Sequence, residues 1–413
     1  MTLNKQNIFA STILIYLVSY DFLFYQLEEI FSINFMILKT YFEVLFFGAL
    51  ISYFVYVTKF SKLHSSVLFL LSLVFCCVVY ALIINEDIIS VIKDFRLFFL
   101  PITICFLLYF LNVFDLISIK KLLWFYILLS FLLILYGFFE YIIFDGSLKS
   151  VWRYEYLLEL KKEVDPNYQE HKIIYQIIRD GSIRVSSIFI SALDYSFYVA
   201  TFGILIFIMI LKLKNIYLLP LFLITLFSLY ISQVRTGFIL LSIGIICYFL
   251  LNSKIKIVSR LAFFIPFIAI FGTFFLMLTE SSVNDSSSLG RLVQYYEMIS
   301  KFTIFGSGMG KYAFDFDSLY IYIFLTYGVL GILFFYFQYW IINKLLFVYK
   351  KHKYLNGYEK VMLQFMIIYH LSSLYLFAFQ HTLGAPTFFI LYFFSFIILT
   401  KTEYSIQKKK YCE

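Results

Sequence analysis

Long apolar runs separated by short polar segments follow one another along almost the whole chain. Twelve windows of roughly 20 apolar residues, the length that crosses a hydrocarbon core of about 30 Å, are predicted as membrane-spanning helices. The runs are continuous rather than alternating every second residue, which favours helices over a β-barrel. The pattern predicts an all-α polytopic integral membrane protein, with a single transmembrane domain over 1–413. The predicted spans are 8–25, 34–57, 65–84, 97–114, 122–143, 196–211, 216–232, 237–252, 261–279, 319–342, 360–379 and 385–400.

The composition supports this prediction. Apolar residues make up 62% of the chain, charged residues 14%, and the mean hydropathy is +0.89. Soluble domains contain about 45–50% apolar and about 25% charged residues. A chain this apolar cannot bury so much surface in one aqueous core. Lys5 is the only basic residue before the first apolar window, and no small-residue cleavage site follows this window. We therefore expect a retained helix rather than a signal peptide.

The distribution of lysine and arginine predicts the orientation. With the N-terminus inside, the inner segments hold 19 of the 33 basic residues and four acidic residues. The inner side then carries a net charge of +15 and the remainder −7, which gives the formal +8 of the chain. Basic residues in short loops favour the cytoplasmic side. Both termini are therefore predicted to be cytoplasmic, and the basicity is assigned to this bias and to anionic lipid headgroups rather than to nucleic acid.

Cysteine and histidine positions predict no disulfide framework and no metal or other cofactor. Four of the five cysteines fall in predicted spans and Cys412 in the inner tail, so none is expected in an outer disulfide. No two of the five histidines have ligand-like spacing.

Two outer segments are much longer than the other loops, and loops of this length are usually functional or disordered. The first covers 145–195 and the second 280–318. The first contains a charged amphipathic stretch, 154–162, which is predicted to lie along the membrane surface. After this stretch come Arg184 and then Asp194, at the start of the next span.

The second long segment carries the densest polar pattern in the chain. Arg291 is predicted to open a short helix, and a glycine-rich run follows it. Glycines at this spacing permit positive φ and close backbone approach, so their N–H groups are predicted to face an anion, with a flexible turn as the alternative. Tyr312 follows the lysine, which excludes a Walker loop. The run consists of Gly306, Gly308, Gly310 and Lys311.

Asp317 and Ser318 stand at the start of the tenth predicted span. Such a pair is typical of a helix N-cap, and an aspartate in an outer loop is also a candidate proton acceptor. Capping and catalysis are compatible, so both interpretations stay open.

Four arginines lie at outer helix ends or loops, against the inward bias of the other basic residues. An arginine at a helix end can extend its guanidinium to lipid headgroups. A planar guanidinium also binds phosphate oxygens in a bidentate way. We expect the four to converge on one outer crevice as a diphosphate clamp: Arg96, Arg184, Arg235 and Arg291.

Three segments resemble the O-antigen polymerase and ligase superfamily of membrane glycosyltransferases. SQVRTGFILLSIG is similar to the family's arginine-containing helix entry. GRLVQYYEMISKFTIFGSGMGKY resembles its Arg and Gly-x-Gly segment, and DSLYIYIFLTYGVLGILFF the helix that follows. The resemblance covers roughly 180–345. Ligases of the family generally carry a His-Asn pair where this chain has Asp317 and Ser318, and this departure favours a repeat-unit polymerase.

The resemblance implies glycosyl transfer at the periplasmic face of a bacterial inner membrane. The donor would be a growing glycan on undecaprenyl diphosphate and the acceptor one lipid-linked repeat unit, for O-antigen or capsule, without nucleotide or metal. A chain-length regulator is an expected partner. The implied roles are diphosphate binding by the arginines, proton acceptance by Asp317 or Asp194, and sugar stacking by Tyr312 and Tyr320.

Two alternatives stay open, an O-antigen ligase and a flippase for lipid-linked oligosaccharides. Transporters usually place ionisable groups at mid-membrane and interrupt paired helices. In this chain Asp21 and Glu140 lie near the ends of predicted spans, and two large outer loops are unusual for a flippase. These features favour the polymerase.

Overall fold

The structure is a computed structural model. It describes residues 5–31, 65–85, 88–110, 113–144, 151–154, 157–158, 174, 177–179, 182–280, 286–312, 316–350, 355–380 and 386–410. The predicted span 34–57 and most of the predicted surface helix 154–162 lie outside the described residues.

Helices make up nearly all of the described structure. Within the described residues, a single antiparallel pairing joins β1 (Ile178–Arg179) to β2 (Ser182–Ile183), with Ile178 opposite Ile183. Short 3₁₀ turns cover Ile216–Leu218 and Gly328–Gly331. The α-helices, in chain order, are α1 (Lys5–Phe31), α2 (Ser65–Ile84), α3 (Ile88–Phe110), α4 (Ile119–Ile143), α5 (Ala192–Leu213), α6 (Leu219–Ser232), α7 (Arg235–Leu251), α8 (Lys256–Leu261), α9 (Ile265–Glu280), α10 (Ser286–Lys301), α11 (Leu319–Tyr327), α12 (Ile332–Lys350), α13 (Gly357–Phe379) and α14 (Pro386–Lys410).

The helical class of the prediction is confirmed. Wherever a predicted span falls on described residues, those residues lie mainly in helices, and α2 has the same bounds as the predicted span 65–84. Among the described residues, five helices are long and apolar enough to cross a membrane: Ile119–Ile143, Ala192–Leu213, Leu319–Lys350, Gly357–Phe379 and Thr387–Ser405. Shorter apolar helices cover Ser72–Ile84, Ile216–Ser232, Arg235–Leu251 and Ile265–Thr279. The count of twelve spans and their orientation stay predictions.

The helices form two compact units. Unit 1 comprises Met1–Val57 and Leu116–Leu241, and unit 2 comprises Thr58–Asp115 and Ser242–Glu413. The boundary falls within α7.

Small residues allow the helices of unit 1 to pack closely. A Cβ placed on Gly203 of α5 would lie 3.2 Å from the Cγ2 methyl of Thr225 on α6. A Cβ on Gly237 of α7 would lie 1.9 Å from the Ser196 hydroxyl. Small residues at helix interfaces are the usual means of close approach in a lipid environment.

Buried polar groups of unit 2 are paired across three helices. The His370 ring on α13 places Nδ1 3.0 Å from Gln338 Oε1 on α12, and Nε2 2.8 Å from Ser395 Oγ on α14. The Gln338 amide in turn donates to the Tyr392 hydroxyl. Because an unpaired polar group in an apolar interior is costly, this network fixes how the three helices align.

Candidate functional site

The first part of the candidate site in unit 2 is the amphipathic helix α10. It begins at Ser286, five residues before Arg291, so the prediction that Arg291 opens the helix is wrong in its boundary. Tyr295 and Met298 pack against a buried cluster of Phe316, Ile321 and Leu325. Arg291 and Gln294 lie three residues apart and are therefore neighbours on the helix surface.

A buried tyrosine joins α10 to two other helices. The Tyr295 hydroxyl donates to the carbonyl of Ala378 at the end of α13 and lies 3.2 Å from Ser318 Oγ. Ser318 Oγ also donates to the Phe377 carbonyl at 3.3 Å. Burial raises the pKa of Tyr295 to about 12, although the Ser318 hydrogen bond and the Arg291 charge act to lower it. The phenol therefore stays protonated and serves as a tie between helices.

Asp317 lies at the surface beside this tie. Its backbone N–H donates to Gln294 Oε1 at 2.8 Å, and Gln294 Nε2 lies 3.4 Å from Asp317 Oδ2. The N-cap of α11 is the buried Ser318, whose Oγ accepts from the Ile321 N–H at 3.4 Å. The capping interpretation thus applies to Ser318. The exposed Asp317 carboxylate is not used as the cap.

Arg291 lies close to the same tie. Its side chain is half-buried, and its Nε is buried without a hydrogen-bond partner. The guanidinium is within electrostatic reach of the Tyr295 and Tyr375 hydroxyls. The structure thus gathers Arg291, Gln294 and Asp317 around one contact between α10, α11 and α13.

The glycine segment, residues 306–310, has the predicted positive φ angles, but its N–H groups do not have the predicted role of facing an anion. Gly306, Gly308 and Gly310 have φ of 72°, 77° and 95°. The N–H groups of this segment donate within the protein: Gly306 to Thr303 O at 3.1 Å, Ser307 to Leu325 O at 2.8 Å, Gly308 to Thr326 O at 3.0 Å and Gly310 to Asp94 Oδ2 at 2.8 Å. These four groups are therefore not free for an anion, and their hydrogen bonds do not support the predicted anion-facing loop.

Side chains of α2, α3 and the turn between them hold the other side of the glycine segment. The Tyr80 hydroxyl donates to Gly306 O at 3.0 Å, and Asn85 Nδ2 donates to Met309 O at 2.6 Å. Asp94 is fully buried and also accepts from the Tyr322 hydroxyl at 2.6 Å. Asp94 precedes the predicted span 97–114. Burial raises the pKa of its carboxyl, while the hydrogen bonds from Tyr322 and Gly310 act to lower it. The sequence prediction missed Asp94, for which a charged residue next to a span was the one available signal.

Lys311 and Tyr312 follow the glycine segment. Lys311 is exposed, with its Nζ 5.6 Å from the centroid of the Tyr312 ring. The Tyr312 ring is half-buried and meets the Phe316 ring edge-on at 5.7 Å. Both residues keep a face toward solvent.

Tyr320 has a structural setting that argues against sugar stacking. Its ring centroid lies 5.0 Å from that of Phe335 and 6.4 Å from that of Phe377. Its hydroxyl donates to the Leu374 carbonyl at 2.7 Å. Because protein aromatics cover the ring, the predicted stacking role is not supported.

Arg96 is half-buried within α3.

The remaining predicted residues belong to unit 1. Arg235 is exposed and is the first residue of α7, and Arg184 is half-buried after β2. Asp194 is the third residue of α5, where Oδ2 accepts from Ser191 Oγ at 2.7 Å and the backbone N–H donates back at 3.1 Å. This reciprocal pair is a capping interaction, which gives Asp194 a structural role. The convergence of all four arginines on one crevice stays a prediction.

A buried ion pair near Arg184 was also missed by the sequence prediction. Arg153 is 1% exposed, and its Nη1 lies 3.5 Å from Glu140 Oε1. Glu140 Oε2 accepts from the N–H groups of Ser186 and Ser187, at 3.0 and 2.7 Å. Arg153 also donates to the Arg184 carbonyl. The pair fixes the backbone of residues 184–187. Its signals in the sequence were a carboxylate near a span end and an arginine in the following loop.

Comparison with protein-family models, curated proteins and solved structures finds no match to this chain.

Proposed function

We propose that this protein polymerises lipid-linked oligosaccharide repeat units at the outer face of a bacterial inner membrane. The observation that carries the proposal is the grouping of an exposed carboxylate, Asp317, with Arg291 and Gln294 at the start of an apolar helix. A carboxylate that is not used as the cap is available to accept a proton. A guanidinium one helical turn from Gln294 is suited to phosphate.

The proposed reaction is a glycosyl transfer without nucleotide. A hydroxyl oxygen of the acceptor repeat unit attacks the anomeric carbon of the donor glycan, and Asp317 accepts the hydroxyl proton. The bond between the anomeric carbon and the diphosphate oxygen breaks, and the electron pair leaves with undecaprenyl diphosphate. Arg291 stabilises the charge that develops on this leaving group. The sequence predicts the same role for Arg184, Arg235 and Arg96.

The helical architecture is consistent with a substrate that stays in the membrane. Five described helices are long and apolar enough to span it. We infer a multi-pass protein of the inner membrane whose site faces the periplasm. The proposed substrates are undecaprenyl-diphosphate-linked glycans for O-antigen or capsule, and a chain-length regulator is a proposed partner.

The proposal is tested by the length of surface glycan in a deletion strain. Arg291→Ala and Asp317→Asn should each leave the protein inserted but replace the long-chain ladder by single repeats. Loss of a general base typically lowers the rate by about 10²–10⁴-fold. Glu297→Gln is a matched control, because Glu297 is an exposed carboxylate of α10 paired with Lys301 at 2.9 Å. It should leave the ladder unchanged.

Two results of this assay would contradict the proposal. A full-length ladder from either variant at normal expression would remove that residue from the reaction. A deletion strain with no surface glycan at all would favour the ligase or the flippase, because loss of a polymerase alone leaves core plus one repeat.

A further inference from the structure

Two buried donors without acceptors lie around the same helix contact. Of the described residues of unit 2, Arg291 and Gln380 are the two whose buried side-chain nitrogens, Nε and Nε2, have no hydrogen-bond partner. Gln380 is the C-cap of α13 and is 6% exposed. Buried donors in native proteins are nearly always bonded, and an exception needs an explanation.

The contacts place both residues at the helix contact that contains Asp317. Leu319, two residues after Asp317, donates its N–H to the Gln380 carbonyl at 3.3 Å. The Tyr295 hydroxyl, one helical turn after Arg291, donates to the carbonyl of Ala378. Arg291 on α10 and Gln380 at the end of α13 therefore belong to the two helices that the Tyr295 hydroxyl joins, next to Asp317 and Ser318 at the start of α11.

The chemistry of the two nitrogens selects the ligand. Both are N–H donors, so the group that satisfies them is an oxygen acceptor. Arg291 adds a positive charge, whereas the Gln380 amide is neutral. Phosphate oxygens and sugar hydroxyls both have the required acceptor, and a lipid-linked glycan carries both.

We propose that Gln380 and Arg291 together bind an oxygen atom of the lipid-linked substrate next to Asp317. This inference rests on the proposed function for the identity of the substrate. Gln380 is then a substrate-binding residue, and its amide nitrogen is left unpaired in the protein because the substrate pairs with it.

A stability comparison separates this role from a structural one. Replacing an unsatisfied buried donor by an apolar group of similar shape is close to neutral or stabilising, whereas breaking a satisfied buried hydrogen bond destabilises. Gln380→Met should therefore keep or raise the Tm of the purified protein in nanodiscs. Gln338→Met is the matched control in the same unit. It should lower the Tm, because the Gln338 amide is bonded to His370 and Tyr392.

Binding of two probes to the same variants identifies the oxygen. Inorganic pyrophosphate represents the phosphate and an uncharged trisaccharide the sugar, each titrated by calorimetry. Gln380→Met should weaken binding of one probe about 10-fold, the usual effect of one lost hydrogen bond. A loss confined to pyrophosphate assigns the donors to phosphate, and one confined to the trisaccharide assigns them to sugar.

Three outcomes would overturn the inference. They are a Tm of Gln380→Met as low as that of Gln338→Met, unchanged affinity of Gln380→Met for both probes, or no binding of either probe to the unmodified protein.

These outcomes are distinct from failure of the proposed function. If Gln380→Met polymerised normally, the function would stand without this subsite. If the variant lost probe affinity while the deletion strain showed no polymerase phenotype, the subsite would stand without the function.

Discussion

At the residue scale, the effect of replacing a glycine depends on what its missing side chain would meet. A Cβ on Gly306 would lie 2.3 Å from the Thr326 carbonyl oxygen, at a φ of 72°. Around Gly290, in α10, nothing lies within 4 Å of a built Cβ. Gly306→Ala should lower the free energy of unfolding by about 1–3 kcal/mol or more, because a strained backbone conformation alone costs this much. Gly290→Ala should stabilise it by about 0.5–1 kcal/mol. Thermal unfolding in detergent measures both, and equal Tm values would contradict the description of the glycine segment.

The Glu140–Arg153 pair makes a second prediction at this scale. Removing one partner of a buried ion pair leaves an uncompensated charge, which costs about 3–5 kcal/mol. Glu140→Gln and Arg153→Met should each lose stability of this size, and the double variant less than their sum. The exposed pair of Lys301 and Glu297 is the control, where Glu297→Gln should cost less than about 0.5 kcal/mol. If the double variant lost as much stability as the two single variants together, the Glu140 and Arg153 side chains would be shown not to interact.

The sequence identified Arg291 and Asp317 as site candidates because both are charged residues in a long outer loop. It did not identify Asp94 or Gln380. Their roles depend on partners far away in the chain, such as Gly310, which is 216 residues from Asp94. A contact of this range leaves no local pattern that one sequence can reveal.

At the element scale, a short helix was predicted to begin at Arg291, within what the structure shows as α10, and the glycine segment was predicted to adopt positive φ. What the segment contacts was not predictable. Its N–H groups approach the buried ends of helices, where a backbone donor has to be paired. Carbonyls of α11 and the Asp94 carboxylate provide the pairing. The same backbone conformation therefore anchors a loop here instead of binding an anion.

Asp94 as the anchor of the glycine segment predicts a dependence of stability on pH. Burial raises the pKa of this carboxyl in the folded state, so the folded protein favours the protonated form. Its ionisation then costs stability as the pH rises from the ordinary carboxyl range, about 3.9, through the raised pKa. Asp94→Asn mimics the protonated form and should be more stable than the unmodified protein at neutral pH. This difference should shrink on acidification in chemical denaturation, and a difference independent of pH would contradict the assignment.

At the scale of the whole molecule, hydropathy predicted where the helices lie because each buried or lipid-facing helix needs a long apolar run. The windows therefore matched described helices, and five of these are confirmed as long and apolar enough to span. Hydropathy carries no information on which residues of different helices meet. The grouping of Arg291, Gln294, Asp317 and Gln380 thus came only from the structure.

The central claim, glycosyl transfer between lipid-linked repeat units, is tested most directly by reconstitution. Purified protein in liposomes would be supplied with the undecaprenyl-diphosphate-linked repeat unit, without nucleotide. We expect a ladder of lengthening glycans, one undecaprenyl diphosphate released for each repeat added, and neither product from Asp317→Asn. Movement of the repeat unit across the bilayer without lengthening, or equal polymer from Asp317→Asn, would contradict the account.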